Sequence, residues 1–303
     1  MKNIVTISAL IALAIAGMAQ DTVRTTYEMR TRVVKKVVFD TMEAKVVTNR
    51  DEMDLCGDVA SVKSSEVFYS NGSVASRNTV VYAFDSKGYF TEAVEMLSNG
   101  ETDVTTYTNT YYRNGKLQSV EVNAGCTDCK SYVYRYDMCG NVIGHDTVCA
   151  NCKTSDYTMI YDRFHNPVYQ KDNTGRKNAY EFTFSYKYDN ACIGCILVKS
   201  VDRYNLTTKE TYNYTTRYTY TDFDKVATAT VTESNGTVST IKYNYNEDEQ
   251  LVSKEMHFAD ADITEVYTRD AMGSCTSKTT YTNGQMTAQR INEVTYNSAI
   301  ASR

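Results

Sequence analysis

The stretch that decides the fold is Tyr136-Asp137-Met138-Cys139-Gly140-Asn141. A glycine three residues after the aspartate is typical of a short hairpin loop, because glycine accepts the positive φ that such a loop requires. Weaker copies of this turn, each led by an aromatic residue, return along the chain about every 25 residues. They begin at Phe84, Tyr161, Tyr188, Tyr220, Tyr245 and Tyr267. A repeat of this length that is rich in tyrosine and threonine predicts stacked β-hairpins.

The segments between these turns alternate as β-strands do. Tyr132, Tyr134 and Tyr136 would share one face, since successive side chains of a strand point to opposite faces. Further turns are marked by Asn-Gly, the strongest short hairpin signal. These pairs are Asn71-Gly72, Asn99-Gly100, Asn114-Gly115, Asn235-Gly236 and Asn283-Gly284. We therefore expect an all-β fold, a long antiparallel meander of about 16 to 18 strands in a twisted or partly curled sheet.

The composition fits strands and argues against two classes of partner. The chain has 26 tyrosines, no tryptophan and a single proline, Pro167, and strands accept tyrosine but exclude proline from their interior. The net charge is −5 at pH 7, and no basic cluster follows Lys35-Lys36. Nucleic acid and acidic membrane surfaces are therefore poor candidates as partners.

The N-terminus has the pattern of a signal peptide. Lys2 supplies a positive charge, residues 4–16 are mostly apolar, and Gly17-Met18-Ala19 offers small residues for cleavage before Gln20. No later stretch is apolar enough for a transmembrane helix, so we expect none in the mature chain. The sequence predicts an exported protein that is periplasmic, exposed at the cell surface or secreted.

Three regions are predicted along the chain. Residues 1–19 form the signal peptide, residues 20–78 form N-terminal strands that cap the repeat sheet, and residues 79–303 carry the hairpin repeats. An outer-membrane barrel is the main architectural alternative, and it requires an apolar band that faces lipid. The alternating faces of this chain carry tyrosine and threonine against threonine, lysine, arginine and glutamate, which favours the meander sheet.

Nine cysteines are the feature with the most chemical potential, and six of them form three C-x-x-C units. If Gly140 closes a three-residue loop, paired positions across that hairpin sum to 278, so that Cys129 faces Cys149 and Cys126 faces Cys152. The third unit is Cys192 with Cys195, which would staple its own turn. The remaining three are Cys56, Cys139 and Cys275.

Three interpretations of these cysteines stay open. The first is disulfides, because directly opposed strand residues lie within reach of a disulfide bond. The second is a zinc site at Cys126, Cys129, Cys149 and Cys152, whose spacing is close to that of zinc ribbons. The third is a redox pair, although no helix is predicted that would activate a thiol. Because thiols pair in an oxidising compartment, the sequence favours disulfides, with no metal or other cofactor and with zinc as the alternative.

No catalytic motif is present. His145 lies four residues before Cys149, and we interpret it as a solvated strand residue rather than a ligand. The acidic stretches 247–249 and 260–262 lack the glycine and the spacing of a calcium loop. Two carboxylates that are distant in sequence can still meet in space, which leaves a carbohydrate-active hydrolase as an alternative.

The turn motif also carries a resemblance. Tyr136-Asp137 followed by Gly140-Asn141, and led in by Tyr134, resembles the YD repeat of bacterial Rhs-type proteins. The stretches 112–117 and 281–286 are similar to the related Y-x-N-G-x-L repeats of exported bacterial proteins, and Met18-Ala19-Gln20 resembles signal sequences of the Bacteroides and Prevotella group. In Rhs proteins such repeats coil into a shell around a toxin domain. This chain is too short for a shell, so the resemblance implies the hairpin geometry alone.

The sequence thus predicts a non-enzymatic β-repeat protein, a binding or structural module of the bacterial cell surface or periplasm. Its partner would be a protein or a carbohydrate of the cell envelope. The tyrosines could form a binding face, but they recur in every repeat instead of clustering, which favours cross-strand packing. The alternatives are a zinc-binding or thiol-redox protein and the hydrolase.

Overall fold

All regular structure in the described part of the chain is β-strand, which confirms the all-β prediction. Nineteen strands occur among the described residues, against the 16 to 18 expected. The described residues contain no helix that is long and apolar enough to cross a bilayer. The predicted signal peptide and residues 20–48 lie outside the described residues. The computed structural model describes residues 49–124, 131–149, 152–154, 157–172, 179–190, 192 and 194–297.

The strands follow one another along the chain with short connections. They are β1 (Val59–Ser70), β2 (Ser73–Phe84), β3 (Phe90–Met96), β4 (Thr102–Tyr111), β5 (Leu117–Ala124), β6 (Ser131–Tyr136), β7 (Val142–Cys149), β8 (Cys152–Thr154), β9 (Tyr157–Tyr161), β10 (Pro167–Asp172), β11 (Tyr180–Tyr188), β12 (Ile196–Asn205), β13 (Thr211–Tyr220), β14 (Val226–Glu233), β15 (Val238–Tyr245), β16 (Leu251–His257), β17 (Asp262–Arg269), β18 (Cys275–Thr282) and β19 (Gln285–Tyr296).

The described residues divide into two compact units. The first takes in the residues up to Asn109, from Glu121 to Tyr132 and from Thr264 onward, and the second takes in Thr110–Val120 and Val133–Ile263. In the second unit, strands β9 to β16 pair antiparallel in chain order, as a meander requires. In the first unit, β1 pairs antiparallel with β2 on one edge and with β19 on the other.

The turn at 137–141 forms the three-residue loop that the sequence predicts. The amide of Asp137 donates to the carbonyl of Asn141 at 2.9 Å, the amide of Gly140 donates back to Asp137 at 3.0 Å, and Gly140 has a φ of +95°. The same pair of hydrogen bonds closes eight other turns among the described residues. These turns are 85–89, 97–101, 112–116, 162–166, 221–225, 233–237, 246–250 and 270–274. The local repeat is therefore a property of the structure as well as of the sequence.

The register next to these turns differs from the simple expectation. One strand gains a residue beside the turn, so that Tyr245 pairs with Leu251 (sum 496) whereas Asn244 pairs with Ser253 (sum 497). Such a bulge increases the local twist of the hairpin. The same shift occurs beside the turns in three other hairpins of the second unit. A constant sum along a hairpin, on which the facing of Cys126 and Cys129 with Cys152 and Cys149 was based, does not hold in these repeats.

Each unit has its own apolar core. In the first, Phe90 is fully buried, and its ring lies 4.9 Å from that of Tyr82 and 5.5 Å from that of Tyr107. In the second, Phe184, Val201 and Tyr214 lie side by side on three neighbouring strands. Tyrosine supplies much of this apolar surface, because its ring buries a large area while its hydroxyl keeps a polar partner.

Candidate functional site

Tyrosine hydroxyls of the second unit bind the backbone of a neighbouring hairpin. Tyr161 donates to the carbonyl of Val142 at 2.8 Å, and Tyr186 donates to that of Pro167 at 2.7 Å. Three further hydroxyls follow the same pattern. They are Tyr112 on Tyr136 at 2.7 Å, Tyr220 on Ile196 at 2.8 Å and Tyr245 on Val226 at 3.0 Å. Because each hydroxyl satisfies a backbone carbonyl, these bonds support a structural role for the repeated tyrosines.

The carboxylate of Asp162 organises its turn and reaches the next repeat. One oxygen accepts the amides of Phe164 at 2.8 Å and Asn166 at 3.0 Å, and the other accepts the hydroxyl of Tyr188. Partial burial works to raise the pKa of Asp162, but these hydrogen bonds outweigh it and lower the pKa. Burial and the bond to Asp162 together raise the pKa of Tyr188 to about 12. Across the physiological pH range, Tyr188 therefore stays a neutral phenol that is bonded to the ionised carboxylate of Asp162.

The first unit contains the same arrangement at Asp270. Its carboxylate accepts the amides of Met272 at 3.0 Å and Ser274 at 2.9 Å, and it accepts the hydroxyl of Tyr296 at 2.6 Å. Ser274 also contacts the Tyr296 hydroxyl at 2.7 Å and accepts the amide of Cys56 at 2.8 Å. Although serine, tyrosine and aspartate meet at this turn, the serine is fully buried and its hydroxyl is used by the backbone. We assign this group to the structure and not to catalysis.

The predicted cysteine sites fall in different parts of the chain. Cys126 and Cys129 lie outside the described residues. Cys149 and Cys152 are Cα partners across the short β7–β8 hairpin, and their side chains are not described. Cys192 and Cys195 form a disulfide with Cα atoms 5.4 Å apart. The four-cysteine zinc alternative therefore stays a prediction.

The other three cysteines are thiols. Cys56 and Cys139 are exposed, and Cys139 lies at the tip of the turn on which the fold prediction was based. Cys275 is fully buried, and burial raises the pKa of its thiol. A buried thiol with a raised pKa is a poor nucleophile, so Cys275 belongs to the core of the first unit.

The interpretation of His145 as a solvated residue was wrong. Only 6% of His145 is exposed, and its ring stacks on Tyr134 with the centroids 4.6 Å apart. Tyr157 contacts the same ring edge-on at 6.1 Å. No sequence signal marks this burial, because the rings that cover His145 come from Tyr134 and Tyr157 on other strands. His165 and His257 lie at exposed hydrogen bonds with Asn141 and Asp262.

A row of charged side chains crosses four strands on one face of the first unit. Lys278 is the cross-strand partner of Arg290, Arg290 is that of Glu66, and Glu66 is that of Asn78. Lys278 also forms a 3.0 Å ion pair with Glu265, most of which is buried. Two cations thus face two carboxylates. The charges of this half-buried row therefore balance one another.

Glu95 is a buried carboxylate beside this row that the sequence reasoning missed. It is 4% exposed, it lies directly opposite Asp103 across β3 and β4, and Asn78 is hydrogen-bonded to it. Burial, and then the charge of Asp103, raise the pKa of Glu95 to about 7 against the opposing effect of Asn78. No motif surrounds Glu95 in the sequence, because its environment is built by residues of other strands. A carboxyl group that titrates near neutrality is a candidate acid or base.

Glu95 makes the stability of the first unit depend on pH. Its pKa in the folded state lies above its ordinary value of 4.5, so stability is highest below pH 4.5 and falls as the pH rises through 7. We expect Glu95→Gln to remove this loss and to gain about 2 kcal/mol over the natural chain at pH 8. Urea unfolding between pH 4.5 and 8 measures the effect. Glu92→Gln, at an exposed position of the same strand, is the control, and an equal pH response in both variants would contradict the assignment.

Comparison with known proteins gives matches among solved structures alone. No protein-family model matches the sequence, and no curated protein matches it. The chain is similar to a porin-like protein from Bacteroides uniformis, at 13% identity over 78% of this chain and 96% of the other, with a TM-score of 0.40. A porin-like protein from Bacteroides vulgatus matches at 10% identity over 79% and 98%, with a TM-score of 0.36.

A third solved structure contains the TcdB2-TccC3-Cdc42 chain. It is 12% identical over 77% of this chain, with a TM-score of 0.32, and the match spans 15% of the larger chain. None of the three structures shares more than 13% of its aligned residues with this protein.

Proposed function

We propose that this chain is an exported, non-enzymatic β-repeat protein that serves as a binding or structural module of the bacterial cell envelope. The observation that carries this proposal is the use of the repeated tyrosines. Five of their hydroxyls in the second unit donate to the backbone of a neighbouring hairpin, so a side chain that recurs along the whole repeat region helps to maintain the scaffold. A scaffold of this kind exposes its turns to solvent, where a partner can bind. Met138 and Phe223 are exposed apolar residues at two of these turns. Its ligand would be a protein or a carbohydrate of the envelope.

Export is tested by fractionation of a Bacteroides-type host that produces the tagged chain. We expect the full-length chain in the periplasm, at the surface or in the medium, and a variant without residues 1–19 in the cytoplasm, because the apolar segment is what the export machinery recognises. Immunoblots of each fraction, and protease treatment of intact cells, measure the distribution. The same cytoplasmic location for both chains would refute the proposal.

The hydrolase alternative now has a specific pair of residues, Glu95 and Asp103. They are direct cross-strand partners, so their side chains share one face of the sheet, and glycosidases use a pair of carboxyl groups. Purified protein is incubated with a panel of envelope polysaccharides, and reducing ends are measured. Release of sugar that is lost in Glu95→Gln but kept in Glu92→Gln would replace the non-enzymatic proposal. The zinc alternative is tested by metal analysis of the periplasmic chain with and without Cys126→Ser.

A further inference from the structure

One turn of the second unit departs from the repeat by its length. In the regular turn at 162–166, the amide of Asp162 donates to a carbonyl four residues later, at Asn166. In the turn that begins at Asp189, the corresponding bond reaches Cys195, six residues later, at 2.8 Å. The longer loop contains Cys192, and the amide of Cys195 closes a second small turn on the Cys192 carbonyl at 3.3 Å. The extra residues thus place both sulfurs in the same loop.

The turn at 221–225 carries a carboxylate at its fourth position. Its fourth residue, Asp224, has a φ of +58°, a conformation that non-glycine residues adopt at some cost. Other turns place a glycine there. These glycines are Gly88, Gly115, Gly140 and Gly273. His165 and Glu249 take the same position in the turns 162–166 and 246–250, with φ of +64° and +58°, so what distinguishes Asp224 is the pair of sulfur atoms beside it.

The carboxylate of Asp224 lies beside this sulfur pair. The sulfur atoms of Cys192 and Cys195 and a carboxylate oxygen of Asp224 all lie within 4.8 Å of one another. The disulfide that the two sulfurs form is neutral, so it offers no charge that would attract a carboxylate. Two thiolates and a carboxylate, in contrast, are donors that Zn²⁺ binds in proteins.

We propose that Cys192, Cys195 and Asp224 bind one Zn²⁺ ion when the two cysteines are thiols. A tetrahedral zinc ion with bonds of about 2.3 Å to sulfur and 2.0 Å to oxygen separates its ligand atoms by about 3.5 to 3.8 Å. The exposed Asp224 side chain needs a shift of about 1 Å to reach this geometry, and rotation of the cysteine side chains opens the sulfur pair. A water molecule takes the fourth coordination position of the zinc ion. This site shares no residue with the set Cys126, Cys129, Cys149 and Cys152.

The redox state of the pair decides whether the site exists. A dithiol reductant transfers two electrons and two protons to the Cys192–Cys195 disulfide, and the reductant becomes a disulfide itself. Zinc then displaces the two thiol protons to solvent and binds the thiolates. In an oxidising compartment the disulfide excludes the metal, whereas before oxidation, or under a thiol reductant, zinc holds the same loop.

Cobalt binding tests the site, because Co²⁺ substitutes for zinc and its bonds to thiolates absorb in the near ultraviolet. The full chain is reduced with a phosphine, and the other C-x-x-C pairs are removed by Cys126→Ser, Cys129→Ser, Cys149→Ser and Cys152→Ser. We expect one Co²⁺ per chain, displaced by Zn²⁺, and no binding after oxidation. Cys192→Ser should abolish the absorption. Asp224→Asn, which retains a residue that tolerates positive φ, should weaken binding at least tenfold.

Asp222→Asn is the matched control, since Asp222 is exposed in the same turn and is expected to leave the affinity unchanged. Equal affinities of the two variants would overturn the role of Asp224, and a folded, reduced chain without the absorption would overturn the site. If the four-serine chain does not fold, the natural chain is compared with Cys192→Ser after reduction. The proposal then requires the zinc content to fall by one ion per chain, and an unchanged content refutes it.

Discussion

Phe90→Ala lowers the free energy of unfolding by about 3 to 5 kcal/mol, the largest single effect that we expect in the first unit. The Phe90 ring is fully buried, and it contacts the rings of Tyr82, Phe84 and Tyr107. Alanine removes this apolar surface and leaves a cavity that strands tied into a hydrogen-bonded ladder cannot close. Urea unfolding monitored by tyrosine fluorescence measures the change.

The control for this prediction is an aromatic residue that the fold does not bury. Phe223 is 60% exposed at the tip of a turn, so Phe223→Ala should change stability by no more than about 0.5 kcal/mol. Comparable losses in the two variants would mean that Phe90 is not the centre of a packed core. Phe90→Leu keeps most of the apolar volume and should recover part of the loss.

Asp162→Ala should cost about 2 to 3 kcal/mol, which is the second large effect. The substitution removes the acceptor of two turn amides and of the Tyr188 hydroxyl, and hydrogen bonds to a charged group contribute more than neutral ones. Tyr188→Phe removes the last of these bonds alone and should cost about 1 kcal/mol. The double variant should show coupling between the two sites, which a double-mutant cycle measures.

The chain offers a natural control for Asp162. In the turn 246–250, Asn246 accepts the amides of Asp248 and Gln250 in the same way, so Asp162→Asn should retain most of the stability. The folded-state pKa of Asp162 is lowered, so its carboxylate stabilises the fold above its ordinary pKa, and this is lost as the pH falls through the folded value. Asp162→Asn should lack that acid-dependent loss. An asparagine variant as unstable as the alanine variant would contradict the turn mechanism.

The features that the sequence predicts well are those that depend on neighbouring residues. The loop at Gly140 and the Asn-Gly turns follow from the φ preferences of a few residues, and the strands follow from alternation. Asn71 and Asn283 share positive φ with the glycines that follow them, as two-residue loops require.

The features that the sequence does not predict depend on contacts between distant strands. The bulge beside each turn changes which residues face one another, and no residue type marks it. His145 and Glu95 are buried because of side chains on other strands, and a polar residue in a strand carries no local sign of such burial. The proximity of Asp224 to Cys192 depends on the relative position of two turns that are separated by another turn in the chain, which spacing along the chain does not reveal.

The pairing of β1 with β19 has a consequence for the order of folding. These strands lie at opposite ends of the described chain, and one of their contacts, Lys63 with Glu293, joins residues 230 positions apart. During synthesis from the N-terminus, one edge of β1 stays unpaired until β19 has been made. Contacts between such distant residues form slowly, and an unpaired edge can recruit another chain. The synthesis of β19 therefore closes the edge of β1 at which another chain can pair.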